Sequence, residues 1–140
     1  MSLINHVLHT DNAESHARHV VDGLRAAGHR AGFVCCDRLT INALRGMASV
    51  IMIVGPSEKS PFMEALFSAS NLQLRSTLVA VRTLDEHFSA TAQRLVNHFQ
   101  RHGGQLLASA ESATLPFEDW IQVLAGNLPR PRRPLMPLAY

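Results

Sequence analysis

The run His9-Thr10-Asp11-Asn12-Ala13-Glu14-Ser15 brings an imidazole, two hydroxyls, an amide and two carboxylates into consecutive positions. It stands between an apolar stretch and an amphipathic one, so it reads as a turn from a strand into a helix. The first turn of a helix has unpaired amides and the positive end of the dipole, which suits a phosphate. Whether residues 9 to 14 can hold one is the question these side chains raise. Asp11 sets a negative charge there unless it is occupied as the helix cap. Asp11 followed by Glu14 has the spacing of a capping box, with Asp11 or Asn12 as the cap. A protonated His9 would offset part of the Asp11 charge.

Other clusters carry weaker chemistry. His16 and His19 are three residues apart and close in sequence to His9, a pattern that invites a metal. Both fall off the apolar stripe of their helix, so the solvated face is the expected place, and no metal site is assigned. His98 and His102 read the same way. Ser57, Ser60, Asp85 and His87 have the side chains of a hydrolase, but no nucleophile-elbow sequence accompanies them. Cys35 and Cys36 end the apolar run GFVCC and are read as strand residues, because adjacent cysteines bridge only with strain. Trp120 is read as core.

The elements that must position these residues follow from periodicity. Leu3 to Leu8 suits a central strand buried on both faces. Ala17, Val20, Val21, Leu24 and Ala27 form one helical stripe, and Gly28 stops it. Ala31 to Cys36 is the second strand, and Thr40 to Met47 a short helical turn. Ser49 to Val54, SVIMIV, is a buried parallel strand ended by Gly55-Pro56. Pro61 to Ala69 is helical with Phe62, Ala65, Leu66 and Ala69 on one face. Thr77 to Val81 is the fourth strand. Phe88 to His102 is a helix with Leu95, Val96 and Phe99 inward and Gly103-Gly104 as its stop. Gln105 to Ala108 is a short fifth strand, and Phe117 to Leu128 the last helix. Strict β-α alternation implies an α/β three-layer sandwich: a five-stranded parallel sheet, order 2-1-3-4-5, covered by helices on both faces.

Composition bounds the rest. The 140 residues make one domain, 1–128, followed by a Pro/Arg-rich tail, 129–140. The net charge of +2 owes much to Arg130, Arg132 and Arg133 in that tail. No basic stripe runs through the body, so nucleic acid is not an expected partner. No apolar run reaches the length of a membrane span and no secretory signal is visible, so the expected compartment is the cytoplasm.

A phospho-receiver domain would need a carboxylate where Gly55 stands and a lysine near Arg82-Thr83. A dinucleotide fold would need GxGxxG after the first strand. A sugar-transport phosphocarrier would need a cysteine in place of His9-Thr10. The chain instead resembles flavodoxins and the flavodoxin-like domains of diflavin reductases over about residues 3–128. HTDNAESHARHVVDGLRAAGH is similar to their phosphate-loop strand, turn and helix. SVIMIVGP resembles the strand before their second flavin loop, DEHFSATAQRLVNHFQRHGGQLL the stretch after the third, and FEDWIQVLAGNL the closing helix.

The resemblance implies FMN as cofactor. Its phosphate would lie at His9, Thr10, Asp11, Asn12, Ala13, Glu14 and Ser15. Its ring would be flanked by Gly55, Pro56, Ser57, Glu58, Thr83, Leu84, Asp85, His87 and Phe88. The loops depart from the family. Where the family reads roughly T-x-T-G-N-T, Leu8 and Ala13 lack hydroxyls and Asp11 replaces the glycine, and no aromatic follows Gly55 before Phe62. Two functions therefore stand side by side: an FMN-dependent electron carrier or redox protein with a protein redox partner, and a flavin-free module with a binding, regulatory or assembly role. Phe62 and Phe67 lie about 140° apart at 3.6 residues per turn. That spacing predicts surplus apolar surface on their helix, and with it a homodimer. Deleting residues 129–140 is expected to leave the thermal midpoint within about 3 °C; a larger fall in a thermal melt would mean that Leu135, Met136, Leu138 or Tyr140 docks on the domain.

Overall fold

A computed structural model of the chain describes residues 4–55, 60–69, 72, 74, 77–84, 89–107 and 115–129. The strands are β1 (Asn5–His9), β2 (Ala31–Cys35), β3 (Ser49–Val54), β4 (Leu78–Thr83) and β5 (Gln105–Leu106), and the helices are α1 (Glu14–Ala26), α2 (Pro61–Ser68), α3 (Ser89–Arg101) and α4 (Phe117–Asn127). All strand pairs are parallel and the order is β2-β1-β3-β4-β5, as the alternation predicts.

Every residue of β3 is buried, because β3 has neighbours on both edges and helices on both faces. Its alternation divides the core. Val50, Met52 and Val54 pack with Leu8, Phe62, Leu66, Leu95 and Phe99 on the face covered by α2 and α3. Ile51 and Ile53 pack with Val7, Val20, Leu24, Trp120 and Leu124 on the face covered by α1 and α4. The polar Asn5 is tolerated in buried β1 because its amide donates to the Arg30 carbonyl at 2.9 Å and its Oδ1 accepts from Ser49 at 2.7 Å. Gly28, at φ 91°, ends α1 with the His29 amide returning to the Leu24 carbonyl at 2.9 Å.

Several sequence expectations shift. Asp11–Ala13 forms a separate 3-10 turn before α1, and neither start has a side-chain cap bond, so the capping box does not form. Ala27 and Ala65 are exposed rather than inward. The 40–47 segment is 3-10, over Ile41–Gly46. β4 runs on to Thr83, because Arg82 and Thr83 pair with Ile53 and Val54 of β3. On α2, Phe62 and Met63 are both buried, and Phe67 is half-buried beneath the Arg94 guanidinium, 3.9 Å from the ring centre. The helix thus presents no large apolar face to a second copy. Trp120 is fully buried, as expected.

α1 and α4 pack closely at Gly23, where an added Cβ would lie 2.5 Å from Ile121 Cγ2. Gly23→Ala sets a propensity gain of about 1 kcal/mol against overpacking of about 1–3 kcal/mol. The substitution is expected to lower the thermal midpoint in the native background and to raise it in an Ile121→Ala background, where the space is open. Circular-dichroism melts of the four proteins check this, and equal shifts in both backgrounds would contradict the close approach.

Candidate functional site

The carboxyl ends of β1 and β3 meet where the strand order reverses, the place at which open α/β sheets take ligands. Thr10 closes β1 in extended conformation and leads into the 3-10 turn. Its hydroxyl accepts the Gly55 amide at 2.8 Å and donates to Asn12 Oδ1 at 3.0 Å. The Asn12 side chain lies so close to Gly55 that a Cβ there would sit 1.9 Å from Oδ1. A side chain at position 55 would have to push the exposed Asn12 amide aside, because of close approach rather than an unusual φ.

Leu8 and Ala13, the two positions without hydroxyls, are both fully buried. Leu8 faces the α2/α3 core and Ala13 the α1/α4 core. They are packing positions, and hydroxyls placed there would enter the core instead of completing a phosphate cradle. Thr10 is buried as well, whereas Asp11, Asn12, Glu14 and Ser15 are exposed at the start of α1. His9 is 2% exposed, its Nδ1 is 2.8 Å from the Thr10 carbonyl, and its ring lies 5.9 Å from that of Phe33. Nδ1 is therefore the protonated nitrogen in this contact, donating to the carbonyl. Glu14 pairs with Arg18 at 3.6 Å on the exposed surface.

Asp11 reaches sideways. Its Oδ1 accepts the Cys35 thiol at 3.0 Å. Asp37, in the turn that follows β2, accepts the Ser60 hydroxyl at 2.6 Å and the Phe62 amide at 3.1 Å. Ser60 in turn caps α2 by accepting the Met63 amide at 3.2 Å. Donor atoms of Asp11, Cys35 and Asp37 all lie within 4.8 Å of one another. Among the described residues this is the group with metal-like spacing. His16 and His19 are exposed against Phe117, and His19 pairs with Glu118. Burial raises the Cys35 thiol pKa, and the Asp11 hydrogen bond pushes the same way. Burial pushes Cys36 up to about 12. No sequence pattern pointed to the Asp37–Ser60 link, because it joins a turn to a helix cap 23 positions away. The nearest signal was Ser60-Pro61, a cap followed by a proline at the first helical position.

Thr83 and Leu84 are half-buried at the end of β4, with the Leu84 amide on the Val54 carbonyl at 3.0 Å. The fold thus gathers residues 9–15, Gly55, Thr83 and Leu84 at one end of the sheet. Pro56, Ser57, Glu58, Asp85, His87 and Phe88 lie outside the described residues. Among the described residues, no helix is long and apolar enough to cross a membrane.

This chain has the flavodoxin-like fold. The flavodoxin of Streptococcus pneumonia TIGR4 superposes with a TM-score of 0.61 at 19% identity, covering 91% of this chain and all of that one. A cysteine-to-alanine mutant of the flavodoxin from Pseudomonas aeruginosa gives a TM-score of 0.68 at 18% identity, covering 90% and 99%. A short-chain flavodoxin associated with a non-canonical PDU bacterial microcompartment gives 0.65 at 17%, covering 89% and 96%. Identities this low carry the fold alone. No protein-family model and no curated protein matches the sequence.

Leu8→Thr is expected to cost about 2–5 kcal/mol, the range for truncating a buried leucine. Thr10→Val, which strands the buried Gly55 amide, is expected to cost about 1–3 kcal/mol. Urea unfolding reads both, and a neutral Leu8→Thr would mean that position 8 faces the turn.

Proposed function

We propose that this protein is a flavodoxin-like redox domain that binds FMN weakly and exchangeably, with the phosphate at the β1–α1 turn. The observation that supports this is a 13-residue helix, α1, whose start carries no side-chain cap and stands at the strand-order reversal beside Gly55. Bound FMN would supply one- and two-electron chemistry at its ring. The chain's own part is to hold it. The exposed Asn12 and Ser15 side chains and the first amides of α1 hold the phosphate, while Thr10 fixes the turn against Gly55 from beneath. Gly55, Thr83 and Leu84 then stand where the ring would be flanked. A protein redox or regulatory partner would approach the same end of the sheet.

The fit is incomplete, and that sets the affinity. Leu8 and Ala13 face the core and supply nothing to the phosphate, so its donors are Asn12, Ser15 and the first amides of α1 alone. Asp11 adds repulsion, which its thiol contact does not neutralise. The second reading is a flavin-free binding module. It is favoured by the Thr10 hydroxyl, whose partners are all supplied by the protein.

Flavin-fluorescence titration separates the two. FMN is expected to bind more tightly than riboflavin, and Asp11→Asn to tighten FMN about tenfold, since one charge pair at 4 Å in water is worth about 1 kcal/mol and the phosphate carries nearly two charges. Equal binding of riboflavin, or no binding of either, would overturn the FMN reading and leave the flavin-free module.

A further inference from the structure

The α2/α3 face holds a second site, away from the β1–α1 turn. Phe67, near the end of α2, and Arg94, Asn97, His98 and Arg101 of α3 line a groove of about 550 Å³ together with Gln93. The four α3 residues fall at i, i+3, i+4 and i+7, a single stripe of the helix. Among the described residues, no carboxylate lines the groove. Among the described residues the ion pairs are Glu14–Arg18 and His19–Glu118, so Arg94 and Arg101 take no part in one.

The groove is also ordered for binding. The Arg94 guanidinium lies 3.9 Å from the centre of the Phe67 ring. This cation–π contact holds the guanidinium against the ring. His98 meets the same ring edge-on, with centroids 5.6 Å apart. Its Nε2 is buried without a hydrogen-bond partner. Burial lowers the His98 pKa. The charges of His102, Arg101 and Arg94 act in the same sense, against the opposing pull of the Leu66 carbonyl. Gln93 donates to Asn97 Oδ1 at 3.0 Å, a bond that does not use the Asn97 amide hydrogens.

We propose that this groove binds an extended oxyanion of the diphosphate class, one end held by Arg94 and the other by Arg101. Seven residues of helix separate the two arginines by about 10.5 Å along the axis. Two phosphoryl groups of one molecule would draw both guanidinium groups inward over that span, whereas a lone carboxylate engages one only. Each guanidinium pairs with an oxyanion through two parallel N–H donors. Asn97, between them, meets the bridging region. The site lies on the α2/α3 face and is independent of FMN binding at the β1–α1 turn.

Isothermal titration of the full chain with inorganic pyrophosphate at low salt tests this. One binding site is expected, with Arg94→Gln and Arg101→Gln each weakening it about tenfold or more. Arg45→Gln, an exposed arginine elsewhere, should leave it unchanged. Orthophosphate should bind more weakly than pyrophosphate. Absence of binding, equal weakening by Arg45→Gln, or tighter binding of a hexaglutamate peptide than of pyrophosphate would each overturn the diphosphate assignment.

Discussion

One hydroxyl group ties together the carboxyl ends of β1 and β3. Thr10 takes the Gly55 amide from the end of β3 and gives its proton to Asn12, so β1, β3 and the entry to α1 are tied at one atom. The bond is buried, where an unpaired amide is costly. A side chain at position 55 would displace the Asn12 amide from this arrangement. The direction of α1, the exposure of Asn12 and Ser15, and the sideways reach of Asp11 toward Cys35 all follow from where that atom lies. The turn is thus braced from beneath, with the exposed carboxylates of Asp11 and Glu14 beside it.

The alternation within β3 has a second effect. Because Val50, Met52 and Val54 face one way and Ile51 and Ile53 the other, the two helical layers have separate cores. The turn at the strand ends draws on both, through Leu8 on one side and Ala13 on the other. The α2/α3 groove draws on one alone. Its charge therefore comes from a single helix stripe, and its geometry is set by the ring of Phe67.

Much of this was legible in the residues. SVIMIV, bounded by Ser49 and Gly55, identified the central strand. The Ala17, Val20, Val21 and Leu24 stripe identified α1, and the β-α alternation pointed to the sheet order. The turn itself was located correctly, but the roles within it were not. Asp11 and Glu14 have capping-box spacing, yet the chain tightens into a 3-10 turn there and Asp11 is drawn to a thiol 24 residues away. Leu8 and Ala13 looked like ligand positions short of a hydroxyl. That they are core positions depends on the pleat of β1 and the packing of α1, which a motif does not encode. Ala65 and Phe67 exchanged expected places because Arg94, on another helix, covers the phenylalanine. Pairings of this kind join distant segments and leave no local signature.

The two adjacent cysteines differ sharply in their surroundings. Cys36 is sealed in the core with its thiol at about 12, and almost none of it ionises near neutrality. Only the ionised form attacks an electrophile. Cys35, half-exposed and bonded to Asp11, is the one that an alkylating reagent can reach. Its reactivity is bound to the carboxylate at the ligand turn. Anything that withdraws or neutralises Asp11 frees the thiol to ionise more readily. The rate of alkylation at this single sulfur is thus a chemical gauge of the electrostatics at the turn, readable by mass without any flavin, colour or label in the protein itself.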